Sequence, residues 1–153
     1  MTASAAASIW FKPHTLAELN ALNEGTLAAQ LGMEMTEIGR DFVSGRMPVD
    51  RRTVQPYGLL HGGASIALAE TLGSLAAAMT VDPASTLVVG QEINANHIRA
   101  VREGHVTGTA RPVHLGGRSQ VWSIEVVDPA GRLVCVSRLT LAVLDRRAQR
   151  PAP

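Results

Sequence analysis

The longest apolar stretch of the chain runs from Ala64 to Met79, with small or aliphatic side chains on nearly every helical face. It contains no proline, and the sequence DPAS ends it at 82–85. A helix on a protein surface keeps one polar face, so this pattern predicts a helix over 64–79 that is buried at the centre of the fold.

Apolar and alternating runs on both sides of this helix predict strands. Two strands are expected before the helix, at 31–38 and 42–49, with a turn at 39–41 between them. Four strands are expected after it, at 86–100, 105–115, 119–128 and 132–145. The pattern predicts an α+β fold in which a mostly antiparallel sheet wraps around one long central helix.

The start of the chain predicts one further element. Thr15 and Glu18 have the spacing of a capping box, and Gly25 can end the short helix that follows it. The Ala/Ser-rich residues 1–8 and the basic, proline-containing residues 146–153 are expected to be disordered tails. A single domain is therefore predicted over 9–145.

Composition narrows the class of protein. The 153 residues are 46% hydrophobic, which excludes a disordered chain, and the formal net charge of +1 gives no basic field for nucleic acid. The only cysteine, Cys135, fits a reducing compartment, and the first residues lack the pattern of a secretory signal. No apolar run is long and uninterrupted enough to predict a membrane span. We expect a cytoplasmic protein.

Two glycines stand where the central helix is expected to start. Gly62 and Gly63 precede Ala64, so their N–H groups lie at the positive end of the helix dipole, where backbone N–H groups lack helical acceptors. Without side chains, they let an oxygen atom approach the backbone closely. The pattern indicates a site for a carbonyl oxygen that gains charge during attack.

Glu70 is the charged residue within the apolar helix. Ser74 follows four residues later, so the two side chains share a face, and a carboxylate held by a hydroxyl can act as a base or a nucleophile. The alternative is a hydrogen-bonded pair on a helix surface. Since the other faces are apolar, a functional carboxylate is favoured.

The spacing of these groups constrains how they could act together. Gly62 and Glu70 are eight residues apart, which is roughly 12 Å along a helix. One small acyl group cannot contact both. If both act in one reaction, Glu70 comes from a second chain, and two antiparallel copies of the helix predict a symmetric dimer.

Several separated motifs carry a resemblance to a known family. The sequences QPYGLLHGGASIALAETLGS, EINANHIRA, HLGGRSQVW and DPAGRLVCVSRLT resemble those of hotdog-fold acyl-CoA thioesterases. More narrowly, they resemble the branch that contains 1,4-dihydroxy-2-naphthoyl-CoA hydrolase, the proofreading thioesterase of enterobactin synthesis and the Arthrobacter-type 4-hydroxybenzoyl-CoA thioesterase. The resemblance implies a hotdog fold, a homodimer or dimer of dimers, and hydrolysis of an aromatic acyl-CoA without a metal or other cofactor.

The resemblance also implies roles for individual residues. Glu70 would be the nucleophile or general base, assisted by Ser74, and the Gly62 N–H would polarise the thioester carbonyl. Gln55 and His61 would orient the acyl group and support the loop. The family uses two further segments for the nucleotide part of CoA, which match Gly90, His97, Ile98, Arg99 and Ala100, and then His114, Leu115, Gly116, Gly117, Arg118 and Ser119.

The chemistry of these segments suits phosphate, because arginine can pair with it bidentately and glycines expose N–H groups. Other readings stay open. Arg99 and Arg118 could be ordinary solvated residues, and His97 could be a structural histidine. For the whole protein, removal of acyl groups from an acyl carrier protein and non-catalytic binding of CoA esters are the alternatives.

Overall fold

A six-stranded antiparallel sheet packs around one long helix in the computed structural model, which describes residues 8–149. The strands are β1 (Glu34–Ile38), β2 (Val43–Pro48), β3 (Thr86–His97), β4 (His105–Leu115), β5 (Ser119–Val127) and β6 (Leu133–Asp145). The helices are α1 (Leu16–Leu22), α2 (Leu27–Gln30) and the long α3 (Gly62–Met79). The predicted hotdog fold of the α+β class is confirmed.

The strand order in the sheet is β1-β2-β4-β5-β6-β3. All neighbouring strands pair antiparallel, and β3 lies at an edge, where its partner within the described chain is β6. Its 12 residues leave a long row of backbone groups unpaired on the outer side. Such an edge is a template for pairing with another chain.

The core lies between α3 and the sheet, and small residues let the two approach closely. Leu68 and Leu72 on the helix are fully buried, as are Trp122 and Leu139 on the strands. A side chain at Gly73 would overlap Leu139, since a Cβ there would lie 2.6 Å from a Leu139 methyl carbon. The Ala- and Gly-rich composition of α3 thus sets its distance from the sheet.

By length and a mean hydropathy of 1.2, the 18-residue helix α3 could cross a membrane. Half of it is buried inside the fold, and it contacts strands β2 to β6. These contacts are those of a core helix.

The first helix begins as predicted. Thr15 Oγ1 accepts the Glu18 N–H at 3.2 Å, and Glu18 Oε2 accepts the Thr15 N–H at 2.8 Å, which completes the capping box. Leu19 of α1 packs into the core, whereas Leu22 is 65% exposed in the single chain.

The boundaries differ from prediction at several elements: strand β1 begins at Glu34 instead of residue 31, and the ends of β2, β5 and β6 differ by one residue. Helix α3 begins at Gly62, two residues before the predicted start, because the His61 side chain caps it. Strand β3 ends at His97 instead of residue 100, and the short helix α2 was not predicted. Of the predicted tails, residues 1–7 and 150–153 lie outside the described residues, and Arg147–Gln149 form a short 3-10 helix.

Candidate active site

The start of α3 leaves one backbone donor free. His61 Nδ1 accepts the Gly63 N–H at 2.8 Å, and the His61 carbonyl accepts the N–H groups of Ala64 and Ser65 at 3.0 and 3.2 Å. The Gly62 N–H has no such partner within residues 8–149. It therefore remains available at the positive end of the helix dipole to an oxygen atom from outside the chain.

Gly62 lies in the wall of a cavity of about 300 Å³. The predicted site residues that the structure brings together there are Gln55, Gly62, His97, Ile98, Arg99 and Ala100. The His97 ring lies directly against the helix start, since a Cβ on Gly62 would be 2.7 Å from His97 Nε2. We call Gln55, Gly62 and His97 the glycine half-site.

Gln55 is held by the loop before the helix. Its Oε1 accepts the Tyr57 N–H, and its backbone N–H donates to the Leu59 carbonyl at 2.8 Å. Because Oε1 is occupied, the side-chain NH₂ group is the part of the amide that stays available as a donor. His61, predicted to orient the acyl group and support this loop, caps the start of α3 with its side chain.

A second group of predicted residues surrounds Glu70 further along α3. Ser74 Oγ donates to Glu70 Oε1 at 3.5 Å, and the same oxygen lies so close to Gly90 that any side chain there would overlap it. Strand β3 is bulged between Gly90 and Glu92 at this point. We call Glu70, Ser74 and Gly90 the carboxylate half-site.

The electrostatics of Glu70 differ from those of a surface carboxylate. Partial burial raises the pKa of Glu70 above its ordinary value of 4.5, while the hydrogen bond from Ser74 acts in the opposite direction. A carboxylate whose pKa is raised toward neutrality is a stronger base when it is ionised. Among the described residues that line the cavity at the helix start, none is an aspartate or glutamate.

The two half-sites are separate within one chain. Gly62 and Glu70 are eight residues apart on the same helix, which corresponds to roughly 12 Å along its axis. Gly62 contacts the end of β3 at His97, and Glu70 contacts the same strand nearer its start at Gly90.

The two segments predicted for the nucleotide lie at opposite ends of β3. Residues 97–100 line the cavity at the helix start. The 114–119 turn lies at the other end, where the Arg118 carbonyl accepts the Val143 N–H at 2.9 Å and Gly117 shares a surface cavity with Thr86. One chain therefore does not bring these segments together either.

Two polar residues near these half-sites were missed by the sequence analysis. Ser65 lines the cavity beside Gly62, and its spacing of three residues from Gly62 was a usable signal. Asn23 lines a shallow pocket with Ser74, and its Nδ2 is buried without a hydrogen-bond partner within residues 8–149. Asn23 reaches this pocket from a loop remote in sequence, so local patterns gave no sign of it.

Metal-binding residues are not clustered in the described part of the chain. Among residues 8–149, no group of three or more His, Cys, Asp or Glu side chains is placed to hold a metal ion.

A sheet wrapped around one long helix, with a free N–H at the helix start and a partly buried carboxylate on the same helix, is the architecture of the hotdog-fold proteins. Similarity to known proteins identifies the family within this fold. Residues 57–135 match the thioesterase superfamily.

Individual relatives agree with this match. Over 136 residues the chain is 52% identical to 1,4-dihydroxy-2-naphthoyl-CoA hydrolase of Escherichia coli, covering 89% of this chain and 99% of that protein. It is 53% identical over 136 residues to the proofreading thioesterase EntH of Cronobacter turicensis, covering 89% and 98% of the two chains. A thioesterase crystal structure from Haemophilus influenzae matches with a TM-score of 0.87 and 48% identity, covering 90% of this chain and 95% of that one. The chain belongs to the thioesterase superfamily, and it is a thioesterase.

Proposed function

We propose that the protein hydrolyses aromatic acyl-CoA thioesters to the free acid and CoA. The observation that carries this proposal is the free Gly62 N–H in a cavity that Gln55 and His97 also line. Such a donor stabilises the negative charge that develops on the thioester oxygen during attack. The name of the Escherichia coli relative, a hydrolase of an aromatic acyl-CoA, supports this substrate class.

In the proposed reaction, Glu70 activates the attack. As a general base it takes a proton from a water molecule while the water oxygen bonds to the carbonyl carbon. The carbon–sulfur bond then breaks, and the leaving CoA thiolate takes from Glu70 the proton that came from the water molecule. As a nucleophile, Glu70 itself would bond to the carbonyl carbon and expel the thiolate, and water would then hydrolyse the resulting anhydride. Neither route uses a metal or other cofactor.

We further propose that the active site is shared between two chains. The edge strand β3 offers a 12-residue surface for pairing. An antiparallel pairing of two such strands, centred midway between Gly90 and His97, carries each Gly62 toward Glu70 of the partner subunit. The same two-fold axis brings the 114–119 turn of one chain toward the 97–100 end of the other. One symmetry operation thus completes both the reaction site and the nucleotide site, and a dimer of dimers would preserve it.

Residues on both segments suit the phosphates of CoA. Arg99 and Arg118 carry guanidinium groups that can bind phosphate bidentately. Gly116 and Gly117 leave the turn open, and a side chain at Gly116 would overlap His114. We assign these residues to the nucleotide of the substrate.

The pockets beside Ser74 and Leu75 suit an acyl group that is mainly apolar and carries a polar substituent. A groove of about 580 Å³, lined mainly by apolar side chains of α1 and α3, includes Leu75, the residue that follows Ser74. The pocket that Leu75 shares with Ser74 is also lined by Asn23, whose buried Nδ2 lacks a hydrogen-bond partner within the described residues. A hydroxyl group on an aromatic ring would supply that partner.

A panel of acyl-CoA substrates tests this function through the release of free thiol. We expect wild type to hydrolyse 4-hydroxybenzoyl-CoA and 1,4-dihydroxy-2-naphthoyl-CoA with a higher kcat/KM than benzoyl-CoA or acetyl-CoA. In Asn23→Ala the advantage of the hydroxylated substrates is expected to shrink by about tenfold, the value of one hydrogen bond. Intact acyl-CoA after long incubation would instead indicate a protein that only binds CoA esters. Faster turnover of aliphatic substrates would contradict the aromatic assignment.

A second candidate substrate is an acyl group on a carrier protein. The name of the Cronobacter turicensis relative, a proofreading thioesterase, favours it. The same acyl group presented on CoA and on a carrier protein separates the two candidates by the ratio of their kcat/KM values. In both cases we propose a cytoplasmic enzyme.

The pH dependence of hydrolysis is expected to follow the ionisation of Glu70. Only its carboxylate form can accept a proton or attack, so kcat/KM rises as the pH rises through the pKa of Glu70. Burial raises this pKa and the Ser74 hydrogen bond lowers it, so Ser74→Ala is expected to move the acid limb of the profile to higher pH. Profiles of kcat/KM against pH measure the shift. Ser137→Ala, which removes a buried hydroxyl from β6, serves as the control. An acid limb at the same pH in Ser74→Ala and wild type would contradict this role of Ser74.

A further inference from the structure

Ser65 is a buried polar residue on the first turn of α3 to which neither the fold nor the proposed mechanism gives a role. Only 2% of its surface is exposed. It follows Gly62 by three residues on α3, a spacing that places two residues on the same face of a helix. It also lines the cavity that contains Gly62, Gln55 and His97.

Among residues 8–149 the hydroxyl of Ser65 has no hydrogen-bond partner, and its oxygen is not among the fully enclosed polar atoms. A serine within a helix commonly donates to the carbonyl four residues earlier. For Ser65 that is the His61 carbonyl, which already accepts the N–H groups of Ala64 and Ser65. Within residues 8–149, the Ser65 hydroxyl makes no hydrogen bond. An unpartnered hydroxyl on a buried residue that lines a cavity points to a ligand atom as its acceptor.

The backbone at the helix start offers one free N–H group, that of Gly62. Sites that stabilise a developing oxyanion usually present two or more donors. Of the N–H groups at the start of α3, that of Gly63 is taken by the His61 side chain, and those of Ala64 and Ser65 by the His61 carbonyl. Gln55 and His97 approach from a loop and from β3. Ser65 is the donor that is fixed to Gly62 by the same helical turn.

We propose that the Ser65 hydroxyl donates a second hydrogen bond to the thioester carbonyl oxygen, beside the bond from the Gly62 N–H. Ser65 forms no covalent bond and releases no proton. Its hydrogen bond strengthens as the carbonyl carbon becomes tetrahedral and negative charge moves onto the oxygen. This inference rests on the proposed function, because it requires that the carbonyl of a thioester occupies the cavity.

The kinetic test uses Ser65→Ala and Ser65→Cys with the preferred acyl-CoA substrate. Ser65→Ala is expected to lower kcat by about 10²-fold, the lower end of the cost of losing an oxyanion donor. KM should change little, since the ground-state carbonyl carries little charge. Ser65→Cys fills nearly the same space with a weak donor. Its kcat is expected to be nearly as low as that of Ser65→Ala. The control Ser137→Ala removes a hydroxyl that is equally buried, at 2% exposure, in β6, and should keep wild-type kinetics.

A spectroscopic measurement separates a direct bond from a structural effect. In the slow background Glu70→Gln, the carbonyl stretch of bound, isotope-labelled acyl-CoA is expected to lie at lower frequency than in water. Adding Ser65→Ala should move the carbonyl band part of the way back toward its frequency in water, whereas adding Ser137→Ala should leave it unchanged. A kcat within threefold of wild type, or an unchanged carbonyl band, would overturn the role of Ser65. Absence of hydrolysis by wild type would overturn the proposed function instead.

Discussion

Glu70→Ala is expected to lower kcat for acyl-CoA hydrolysis by about 10²–10⁴-fold, the range that general-base catalysis contributes. The structure leaves no substitute for the lost carboxylate in the carboxylate half-site, where Ser74 and Gly90 are the neighbouring groups. Thiol release from a saturating aromatic acyl-CoA measures the effect. Undiminished release by this variant would show that Glu70 is not the catalytic base or nucleophile.

A matched variant, Glu70→Gln, separates chemistry from folding. Because burial raises the pKa of Glu70, the native state binds the proton more tightly than the unfolded chain. Ionisation therefore reduces native stability as the pH rises from the unfolded pKa to the folded pKa, and the loss persists above it. Glutamine does not ionise, so Glu70→Gln should unfold at the same or a higher temperature than wild type at neutral pH. The difference in unfolding temperature between Glu70→Gln and wild type should shrink as the pH drops toward 4.5, the ordinary pKa of a glutamate.

A variant that is inactive and at least as stable as wild type would identify a residue kept for function at the expense of stability. A lower Tm for Glu70→Gln at neutral pH would instead indicate that the carboxylate supports the fold. Thermal unfolding of both proteins at several pH values, followed by circular dichroism, makes the comparison.

The sequence predicted most of the fold because local and global signals agree here. The all-round apolar pattern of 64–79 required a central position, and α3 is buried against the sheet as expected. The capping box at Thr15 and Glu18 is present atom by atom. The start of α3 was placed two residues late because paired glycines ordinarily indicate a loop. His61 overrides that tendency by accepting the Gly63 N–H.

Residue spacing alone paired members of the candidate site only where they are close in sequence, and the family resemblance supplied the remote members Gln55, Gly90 and His97. The spacing of Glu70 and Ser74 on one helix face was sufficient to pair them. The contact of Glu70 with Gly90 depends on how β3 packs against α3, and the contact of His97 with Gly62 depends on the same packing. Asn23 approaches Ser74 from a loop far earlier in the chain. Contacts of this kind follow from tertiary packing, which a local pattern does not encode.

Gly62→Pro is expected to abolish most of the thioesterase activity, because proline lacks the backbone N–H that glycine provides at this position. Proline is favoured at the first position of a helix, and it requires an extended residue before it. His61, with φ −71° and ψ 131°, already meets that requirement. The fold should therefore tolerate the change, while the free N–H of this cavity-lining residue is lost.

Gly62→Ala is the matched control for this substitution. Both variants add a Cβ that would lie 2.7 Å from His97 Nε2 and displace the ring, but only proline removes the donor. We expect kcat of Gly62→Pro to fall about 10²–10³-fold below that of Gly62→Ala, the cost of one oxyanion donor. Equal rates for the two would remove the Gly62 N–H from the mechanism.

Mixing two inactive variants tests whether the active site is shared between chains. A dimer of one Glu70→Ala chain and one Gly62→Pro chain contains one site with both changes and one with neither, provided that each site pairs Gly62 with Glu70 of the partner subunit. Random assembly of equal amounts should then restore about a quarter of the wild-type activity. If each chain held a complete site, every site in the mixture would carry one of the two defects and no activity would return. Because Gly62 and Glu70 lie roughly 12 Å apart on one rigid helix, restored activity is the expected result.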